Sequence, residues 1–428
     1  MNVYLDYLGC RLNQAEIEAM AARFQRAGHR LSPTPVEADL IVLNTCAVTH
    51  EAARDSRQRL HALHAANVNA RIVPTGCWTT LAPGEAASAP GVWRIVENSR
   101  KDSLLEILGR SLSSSISLSS LSSQAAYDLE PLARFQVPSA RLRTRLFVKA
   151  QDGCDNHCAF CVTRIARGPA RSRPIREIIA EINLAHATGV KEIVLTGVHL
   201  GAYGHDLGDR RGLVALVKAI LCETSVERLR LSSLEPWDLS PDFFDLWPQS
   251  DGRLCRHLHL PLQSGCAATL RRMARRTTPG KFAALVATAR ERIPEVAIST
   301  DVIAGFPGET EREFDETLSF VREMNFSDIH VFKYSRRDGT PAASMRGQVL
   351  EAVKKDRSQR LRELSAASAR AYRARFLRRT LPVLWEATNT VGPEGFDWHG
   401  YTDNYLRVSL TSREMLWNTV SPVLITEL

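Results

Sequence analysis

Short apolar runs alternate with longer segments of helical periodicity over most of the chain. Near the start, three runs have the length and composition of strands: Val3–Tyr7, Leu40–Asn44 and Arg71–Thr75. Two segments between them, Ala15–Ala27 and Glu51–Ala66, repeat apolar residues at helical spacing. Alternating strands and helices predict a parallel sheet covered by helices. We therefore predict an N-terminal α/β domain over residues 1–110.

A second series of the same kind begins after residue 144. Six runs have strand character: Arg145–Ala150, Glu192–Thr196, Glu227–Leu231, His257–Leu260, Ala297–Ile303 and Ile329–Tyr334. Pro174 and Gly189 stand where a helix between the first two strands would begin and end. Six βα units are too few for a closed eightfold barrel. We therefore predict an open, partial (βα)6 barrel within residues 139–370.

Two other segments depart from this alternation. From Ser111 to Ser123, nine of thirteen residues are Ser, which predicts a flexible linker over residues 111–138, with a weakly amphipathic segment as the alternative. The tail, residues 371–428, carries short alternating runs separated by Gly and Pro, a pattern that predicts a small β-barrel. These runs are Leu381–Glu386, Tyr405–Leu410 and Val420–Ile425.

Composition and charge narrow the class of protein. The net charge is +8, and the helical segment Lys354–Arg379 holds ten Lys or Arg residues against two acidic ones, which favours a nucleic-acid partner. No run reaches the roughly 18 apolar residues that a membrane span needs. Residues 1–10 lack the pattern of a signal peptide, so we expect a cytoplasmic protein. Nine cysteines in such a protein are more often metal ligands, reactive thiols or buried residues than disulfides.

Three of these cysteines form a compact motif directly after a predicted strand. Cys154, Cys158 and Cys161 have the spacing C-x3-C-x2-C. Three thiolates hold three irons of a cubane cluster and leave the fourth iron open to a small molecule, whereas ferredoxin-type clusters take a fourth Cys. The amino and carboxylate groups of S-adenosylmethionine suit that position. Structural zinc needs four ligands, and His157 inside the loop is poorly placed to be one.

Three further cysteines are far apart in sequence but occupy equivalent positions. Cys10, Cys46 and Cys77 each follow the carboxyl end of a predicted strand. Those ends share one edge of a parallel sheet, where ligands bind, so we expect the three thiols to converge and to hold a second metal cluster. Buried or solitary thiols are the alternative. Asn13 and Asn44 are candidate hydrogen-bond donors around such a site.

Motifs around these cysteines resemble the methylthiotransferase family of radical S-adenosylmethionine enzymes, over nearly the whole chain. The segments Gly9–Glu16 (GCRLNQAE), Gln151–Cys154 (QDGC) and Gly400–Tyr405 (GYTDNY) resemble the branch that acts on threonylcarbamoyl-adenosine in tRNA. One departure is Val162-Thr163-Arg164 after the cluster motif, where the family commonly has aliphatic residues and Pro, which puts the local loop shape in doubt.

The resemblance implies the following activity and partners. Two 4Fe-4S clusters are expected, an auxiliary one on Cys10, Cys46 and Cys77 and a radical one on Cys154, Cys158 and Cys161. With S-adenosylmethionine they would methylthiolate C2 of N6-threonylcarbamoyladenosine at position 37 of tRNA. The tail would be a divergent RNA-binding TRAM domain. The implied partners are tRNA and a low-potential electron donor such as flavodoxin or ferredoxin, and a monomer is the default expectation.

Residues at the carboxyl ends of the barrel strands are candidates for contact with S-adenosylmethionine, because that face of a βα-barrel is the functional one. The candidates are Phe160, Thr196, Gly197, Ser233, Glu235, His259, Gln263 and Gly305. A structural turn or simple shielding of the cluster is the alternative for several of them. No catalytic residue beyond the cluster ligands is identified.

Basic and aromatic residues supply candidates for RNA contact. Arg167, Arg171 and Arg173 follow the cluster loop and could grip phosphate, with a solvated basic surface as the alternative. A second basic face consists of Arg271, Arg272, Arg275 and Arg276. The aromatic residues Trp398, Tyr401 and Tyr405 could stack bases, or could fill the core of a small barrel.

Three other functions stay open from sequence. The same chemistry could act on N6-isopentenyladenosine 37 of tRNA or on a ribosomal-protein aspartate. A protein of another class, an RNA-binding iron–sulfur protein without catalysis, would carry the same cysteines.

Overall fold

The structure is a computed structural model that describes residues 1–112, 144–386, 388 and 391–427. The chain divides into two units, Met1–Leu142 with Ile165–Gly168, and Arg143–Arg164 with Pro169–Leu428. Residues 111–112 of the predicted linker end a helix, and residues 113–138 lie outside the described part. Among the described helices, none combines the length and apolar character that crossing a bilayer requires.

The first unit is a four-stranded parallel sheet in the order β2-β1-β3-β4. Its elements are β1 (Asn2–Tyr7), α1 (Arg11–Arg26), β2 (Arg30–Leu31), β3 (Leu40–Thr45), α2 (His50–Ala66), β4 (Arg71–Gly76), α3 (Cys77–Leu81), α4 (Pro83–Ala87) and α5 (Leu104–Leu112). The three predicted strands are confirmed. Strand β2 was not predicted, since two residues are too short for any periodicity.

Helices cover both faces of this sheet. On one face Leu5 and Val42 pack with Phe24 of α1 and with Leu108 of α5. On the other face the neighbouring strand residues pack against α2, in a cluster that includes Ile41, Leu43 and Leu60. Strands buried on both faces must be apolar at nearly every position, which is why they were readable as short continuous runs. The carboxyl ends of β1, β3 and β4 form one edge.

The second unit contains the barrel. Its elements to residue 374 are β5 (Arg145–Asp152), α6 (Thr163–Arg167, whose last residues belong to the first unit), β6 (Arg171–Ser172), α7 (Ile175–Ala187), β7 (Glu192–Gly197), α8 (Gly212–Glu223), β8 (Arg228–Leu231), β9 (His257–His259), α9 (Ala267–Arg272), α10 (Pro279–Arg292), β10 (Ala297–Ala304), α11 (Glu311–Met324), β11 (Asp328–Lys333), α12 (Pro341–Ser344) and α13 (Glu351–Ala374).

Six parallel strands form the barrel wall. Strands β5, β7 and β8 pair in one sheet, with the short antiparallel β6 at its edge, and β9, β10 and β11 pair in another. Parallel bridges from Leu229 to Leu254 and from Ser233 to His259 link the two sheets. The predicted open six-stranded barrel is confirmed, with strand ends shifted by one or two residues.

The tail is a curled antiparallel sheet of β12 (Thr380–Trp385), β13 (Val391–Gly392), β14 (Gly395–Thr402), β15 (Arg407–Ser412) and β16 (Val420–Leu424). The three predicted strands are confirmed, but β14 was missed because its glycines suggested turns. Gly400 is required for packing rather than for a turn. A Cβ atom there would lie 2.5 Å from Val383 Cγ1 and 2.6 Å from the Leu384 carbonyl oxygen.

The turn after β14 closes the amino-terminal end of the barrel. Arg230 and Glu192 form a fully buried ion pair, with the Arg230 Nε and Glu192 Oε1 atoms 2.7 Å apart. Arg230 Nη1 also donates to the Asp403 carbonyl oxygen at 2.9 Å. The Tyr405 ring lies 4.6 Å from the His257 ring. The tail sheet and the barrel are therefore joined by buried polar contacts within one unit.

Candidate functional site

The first thiol site is the loop that follows β5, with Cys154, Cys158 and Cys161. Gly153 adopts a left-handed conformation (φ 71°) at the start of the loop. Backbone N–H groups donate to two of the sulfurs, from Asn156 to Cys154 Sγ and from Thr163 to Cys161 Sγ, each at 3.4 Å. Such hydrogen bonds to sulfur are typical of iron–sulfur ligands.

The side chain of Gln151 ties the start of this loop to the end of β7. Its Oε1 atom accepts a hydrogen bond from the His199 N–H at 2.9 Å, and its Nε2 atom donates to the Gly153 carbonyl oxygen at 2.8 Å. A register shift in β5 next to Gln151 accompanies this arrangement. In the sequence Gln151 is recognisable only as part of the motif QDGC, and its contact with His199 is visible only in the folded structure.

Two polar pairs stand behind the cysteines. The Arg275 guanidinium lies 3.8 Å from Cys158 Sγ and binds both carboxylate oxygens of Glu235, at 3.0 and 2.7 Å. His199 Nδ1 lies 3.8 Å from Cys154 Sγ, while its Nε2 lies 2.5 Å from Asp238 Oδ2. Burial raises the pKa of the Cys158 thiol to about 11, although Arg275 opposes the shift. Arg275 supports a cysteine here rather than forming an exposed basic face, so that prediction is wrong for this residue.

Four of the residues predicted to contact S-adenosylmethionine lie close to this loop. Both carboxylate oxygens of Glu235 accept hydrogen bonds from Arg275. Phe160 packs against a buried cluster that includes Phe306 and Tyr334. Thr196 and Gly197 end β7, where a Cβ atom on Gly197 would lie 3.1 Å from Gln151 Oε1. These contacts are compatible with a ligand site, and the cofactor contact itself stays a prediction.

Three further candidates, Ser233, His259 and Gln263, lie at or shortly after the ends of β8 and β9. The backbone of Ser233 bridges to His259. His259 Nε2 lies 3.2 Å from Asp301 Oδ1, and its Nδ1 lies 2.9 Å from Ser299 Oγ. Gln263 has a left-handed backbone (φ 73°), and its N–H donates to the Asp301 carbonyl oxygen. His259 is thus bound to neighbouring side chains, a pairing that sequence position could not reveal.

Gly305, the last of these candidates, begins a tight turn after β10. Its φ is 75°, and a Cβ atom there would lie 2.4 Å from the Lys354 side chain. Its N–H donates to Glu309 Oε2 at 2.8 Å, and Glu309 also binds Arg357. Burial raises the pKa of Glu309 to about 7. The structural role of this turn is therefore evident, and a contact with adenosine stays a prediction.

The second thiol site lies at the sheet edge of the first unit. Cys10 precedes α1, Cys46 follows β3, and Cys77 begins α3 directly after β4. Burial raises the pKa of the Cys46 thiol to about 11, and the charges of Cys10 and Cys77 act in the same direction. A Cβ atom on Gly9 would lie 2.4 Å from Cys46 Sγ. The fold therefore brings together three thiols that are widely separated in sequence.

Amide side chains fix the loops of this second site. Asn13 Nδ2 donates to the Leu8 carbonyl oxygen at 2.7 Å and to that of Thr45 at 3.1 Å. Asn44 Nδ2 donates to the Asn13 carbonyl oxygen. Asn13 and Asn44 therefore hold backbone, whereas the side-chain amide of Asn98 approaches a sulfur, with its Nδ2 3.6 Å from Cys77 Sγ. Asn98 lies in a segment without apolar periodicity, so no sequence signal identified it.

The arginines predicted to grip RNA have three different environments. Arg167 is 3% exposed and its guanidinium lies 2.9 Å from Glu16 Oε1, so it is not available to a phosphate and that prediction is wrong. Arg173 binds the Lys149 carbonyl oxygen and Glu181. Arg171 is the most exposed of the three, with 46% of its side chain accessible and Asp152 3.8 Å away.

The aromatic residues of the tail pack in the protein. Trp398 is 2% exposed, and its Nε1 donates to the Glu414 carbonyl oxygen. Tyr405 lies between the His257 and Tyr401 rings, with the Arg230 guanidinium 4.5 Å from its ring. Trp398 and Tyr405 therefore follow the alternative of an aromatic core. Base stacking is wrong for the buried Trp398 ring.

Both sets of residues fit iron–sulfur ligation. Each site offers three sulfur donors that its loop or sheet edge holds together, and amide or N–H donors surround the sulfurs. Neither site has the paired knuckles of a four-ligand structural zinc site. The loop after β5 and the sheet edge can therefore each hold a cubane cluster through three protein ligands.

Two family models match this chain. Residues 148–321 match the radical SAM superfamily, and residues 2–96 match uncharacterized protein family UPF0004. The first match runs from within β5 through the cysteine loop to β10 and most of α11, so that β11 lies beyond it, and the second covers the sheet with Cys10, Cys46 and Cys77.

Curated relatives match almost the whole chain. The threonylcarbamoyladenosine tRNA methylthiotransferase MtaB of Bacillus subtilis is 37% identical over 95% of this chain and 90% of its own length. A tRNA-2-methylthio-N(6)-dimethylallyladenosine synthase of Acetivibrio thermocellus is 31% identical over 92% of this chain and 82% of its own length.

A solved structure shares the fold. It is the radical S-adenosylmethionine methyltransferase TsrM from Kitasatospora setae, with a TM-score of 0.60 over 80% of this chain and 77% of that one. Its sequence is 14% identical.

Proposed function

The chain belongs to the radical S-adenosylmethionine methylthiotransferase family, and from this premise we propose that it methylthiolates C2 of N6-threonylcarbamoyladenosine at position 37 of tRNA. The observation that carries the proposal is the presence of two separate groups of three thiols. Insertion of sulfur at a C–H bond needs a radical source and a sulfur donor, and one thiol site is available for each role.

The choice of substrate branch rests on sequence similarity. Enzymes named for threonylcarbamoyladenosine are 37%, 36% and 34% identical to this chain, in Bacillus subtilis, Thermotoga maritima and Aquifex aeolicus. Enzymes named for dimethylallyladenosine are 31% to 34% identical. The motifs GCRLNQAE and GYTDNY point to the same branch, which makes the dimethylallyl substrate the alternative to be tested.

As a radical SAM enzyme, the protein uses a 4Fe-4S cluster and S-adenosylmethionine. We assign this cluster to Cys154, Cys158 and Cys161. When bound, the cluster and S-adenosylmethionine together supply the radical that removes hydrogen from an unactivated carbon. The surrounding residues position the ligands. Gln151 anchors the loop, and the Arg275–Glu235 pair stands beside Cys158.

We assign a second, auxiliary 4Fe-4S cluster to Cys10, Cys46 and Cys77. Asn13 and Asn44 hold the loops that carry Cys10 and Cys46, and Asn98 approaches Cys77. Three protein thiolates leave one iron without a protein ligand, which is the position that an exchangeable sulfur requires.

The partners follow from this chemistry. The substrate is tRNA, and the half-exposed Arg171 is the best placed of the predicted arginines to approach its backbone. A low-potential donor such as flavodoxin or ferredoxin would reduce the clusters. We place the enzyme in the cytoplasm, with tRNA, and expect a monomer.

Mass spectrometry of tRNA nucleosides tests the proposal. A strain that lacks the gene should lose 2-methylthio-N6-threonylcarbamoyladenosine and accumulate N6-threonylcarbamoyladenosine. The wild-type chain should restore the product, and the Cys158→Ala variant should not. Loss of the 2-methylthio form of isopentenyladenosine instead would assign the alternative branch.

A second measurement addresses the non-catalytic alternative. Purified protein, reconstituted and reduced without oxygen, should convert S-adenosylmethionine to 5′-deoxyadenosine. An RNA-binding iron–sulfur protein would make none, and that result would exclude the enzyme assignment.

A further inference from the structure

A buried ammonium group lies beside the second thiol site. Lys101 is 2% exposed, and its Nζ atom lies 2.7 Å from Glu16 Oε2 and 3.2 Å from Asn44 Oδ1. Arg167, 3% exposed, binds the other carboxylate oxygen of Glu16 and also donates to Asn13 Oδ1 at 2.7 Å. One buried carboxylate thus bridges two buried cations.

This charged group is connected directly to the cysteine loops. Asn13 and Asn44 hold the backbone next to Cys10 and Cys46, as described above. Lys101 lies on the same short 3-10 helix, Asn98–Ser103, as the amide that approaches Cys77 Sγ. Burial lowers the pKa of Lys101, and the charges of Glu16 and of Cys77 oppose this shift.

Burial of these charges costs free energy, so a functional reason for their presence is expected. Moving an ammonium group out of water costs free energy even after relaxation, and a well-packed apolar residue is often at least as stabilising as a buried ion pair. A cluster held by three thiolates carries negative charge, and adds more when it is reduced. A fixed cation beside it stabilises both forms, and the reduced form more, because net charge helps to set the potential of a cluster.

We propose that Lys101 is a positioning residue that tunes the auxiliary cluster, with its buried ammonium stabilising the negatively charged cluster on Cys10, Cys46 and Cys77. The inference rests on the second cluster of the proposed function. It assigns opposite electrostatic effects to Lys101 and Glu16, since one supplies positive and the other negative charge at the same place.

The experiment measures the reduction potential of the auxiliary cluster by EPR-monitored titration. The reference protein carries Cys154→Ala, Cys158→Ala and Cys161→Ala, so that the auxiliary cluster alone remains. In this background Lys101→Met should lower the potential and speed the loss of iron to a chelator by about tenfold, as is typical for residues around metal ligands. Glu16→Gln should raise the potential.

Controls separate an electrostatic role from a structural one. Arg59→Met removes a different ion pair of the same unit, with Asp6 2.5 Å away, and should leave the potential unchanged. Lys101→Gln, which keeps a hydrogen-bond donor, serves if Lys101→Met does not fold, and should also lower the potential. If Lys101 had only a structural role, the Lys101 and Glu16 variants would shift the reduction potential in the same direction.

The outcomes distinguish the two proposals. A reference protein that binds no iron would overturn the second cluster, and with it the role of Lys101. A reference protein that holds its cluster, with a potential that neither Lys101 variant shifts, would overturn the role of Lys101 alone.

Discussion

The two thiol sites obtain the same set of ligands in different ways. Cys154, Cys158 and Cys161 lie on one loop after a single strand, and contacts with other elements, such as that of Arg275 with Cys158, hold that loop in place. Cys10, Cys46 and Cys77 come from three connections after three adjacent strands. The three thiols of the first site therefore come from one short segment, whereas those of the second come from the whole sheet.

The charges around the two sites differ as well. At the first thiol site, the barrel site, Arg275 is paired with Glu235 and His199 with Asp238, so that each basic side chain has its own carboxylate. At the second thiol site, the sheet-edge site, Lys101 and Arg167 both form ion pairs with the single carboxylate of Glu16. This contrast agrees with the different tasks that we propose for the two sites, reduction of S-adenosylmethionine at one and storage of an exchangeable sulfur at the other.

The largest expected effect comes from removal of one ligand at each site. Cys161→Ala and Cys77→Ala should both abolish formation of the methylthiolated nucleoside, because the proposed reaction needs both clusters. Each variant should keep about half of the iron, since the other three thiols are untouched. Iron analysis and product assays on anaerobically reconstituted protein check this.

Formation of 5′-deoxyadenosine separates the two variants. Cys77→Ala should still cleave S-adenosylmethionine, and Cys161→Ala should not. If both variants lost all their iron, the two sites would not be independent, and the comparison drawn above would fail.

Arg275→Met should give the next largest effect. It removes a buried guanidinium and leaves Glu235 without its partner, a change that costs about 3 kcal/mol of unfolding free energy in comparable buried pairs. Denaturant unfolding measures the loss, and iron retention should fall at the barrel site only. Arg292→Met, which breaks an exposed pair with Asp245, is the control and should cost less than about 1 kcal/mol.

Sequence predicted the barrel site more completely than the sheet-edge site. The cysteine spacing of the loop is local, and so is the strand before it. Convergence of Cys10, Cys46 and Cys77 also followed from topology, because parallel strands share one edge. Glu16, Asn98 and Lys101 carry no such signal, since only the fold brings residues 85 positions apart into a buried ion pair.

Errors at the level of side chains had a common physical cause. The sequence predictions treated three side chains as exposed and free to contact nucleic acid. All three are buried against partners within the protein: Arg167, Arg275 and Trp398. Burial of a charged residue depends on a partner from another element, and periodicity within one segment does not report it. Strand β14 was missed for the same reason. Gly400 is required by close contact with Val383 and Leu384 of another strand, which the sequence around Gly400 does not show.

A glycine at the sheet edge tests the dependence on tertiary structure. Gly76, directly before Cys77, has φ 97°, and a Cβ atom there would lie 2.4 Å from the Thr45 carbonyl oxygen. Gly76→Ala should cost about 2 kcal/mol through backbone strain and should lower iron at the sheet-edge site while sparing the barrel site. Unfolding and iron analysis measure both effects.

Gly84→Ala is the matched control in the same unit, because a Cβ atom there meets nothing within 4 Å. It should leave iron unchanged and should stabilise the protein slightly, by about 0.5 kcal/mol, since Ala restricts the unfolded chain. Equal loss of iron in the two variants would contradict the assigned role of Gly76.

The smallest expected effect is on tRNA binding, and it should differ between Arg171 and Arg173, both of which the sequence predicted to contact RNA. Arg171→Ala should weaken tRNA binding a few-fold and reduce the salt dependence of affinity by about one unit, as loss of one phosphate contact does. Arg173→Ala should instead cost about 1 kcal/mol of stability through loss of its bonds to Lys149 and Glu181, with tRNA affinity unchanged. Filter binding at several salt concentrations measures the affinities. If Arg173→Ala weakened binding as much as Arg171→Ala, the hydrogen bonds of Arg173 would not define its role, and both arginines would belong to the RNA contact.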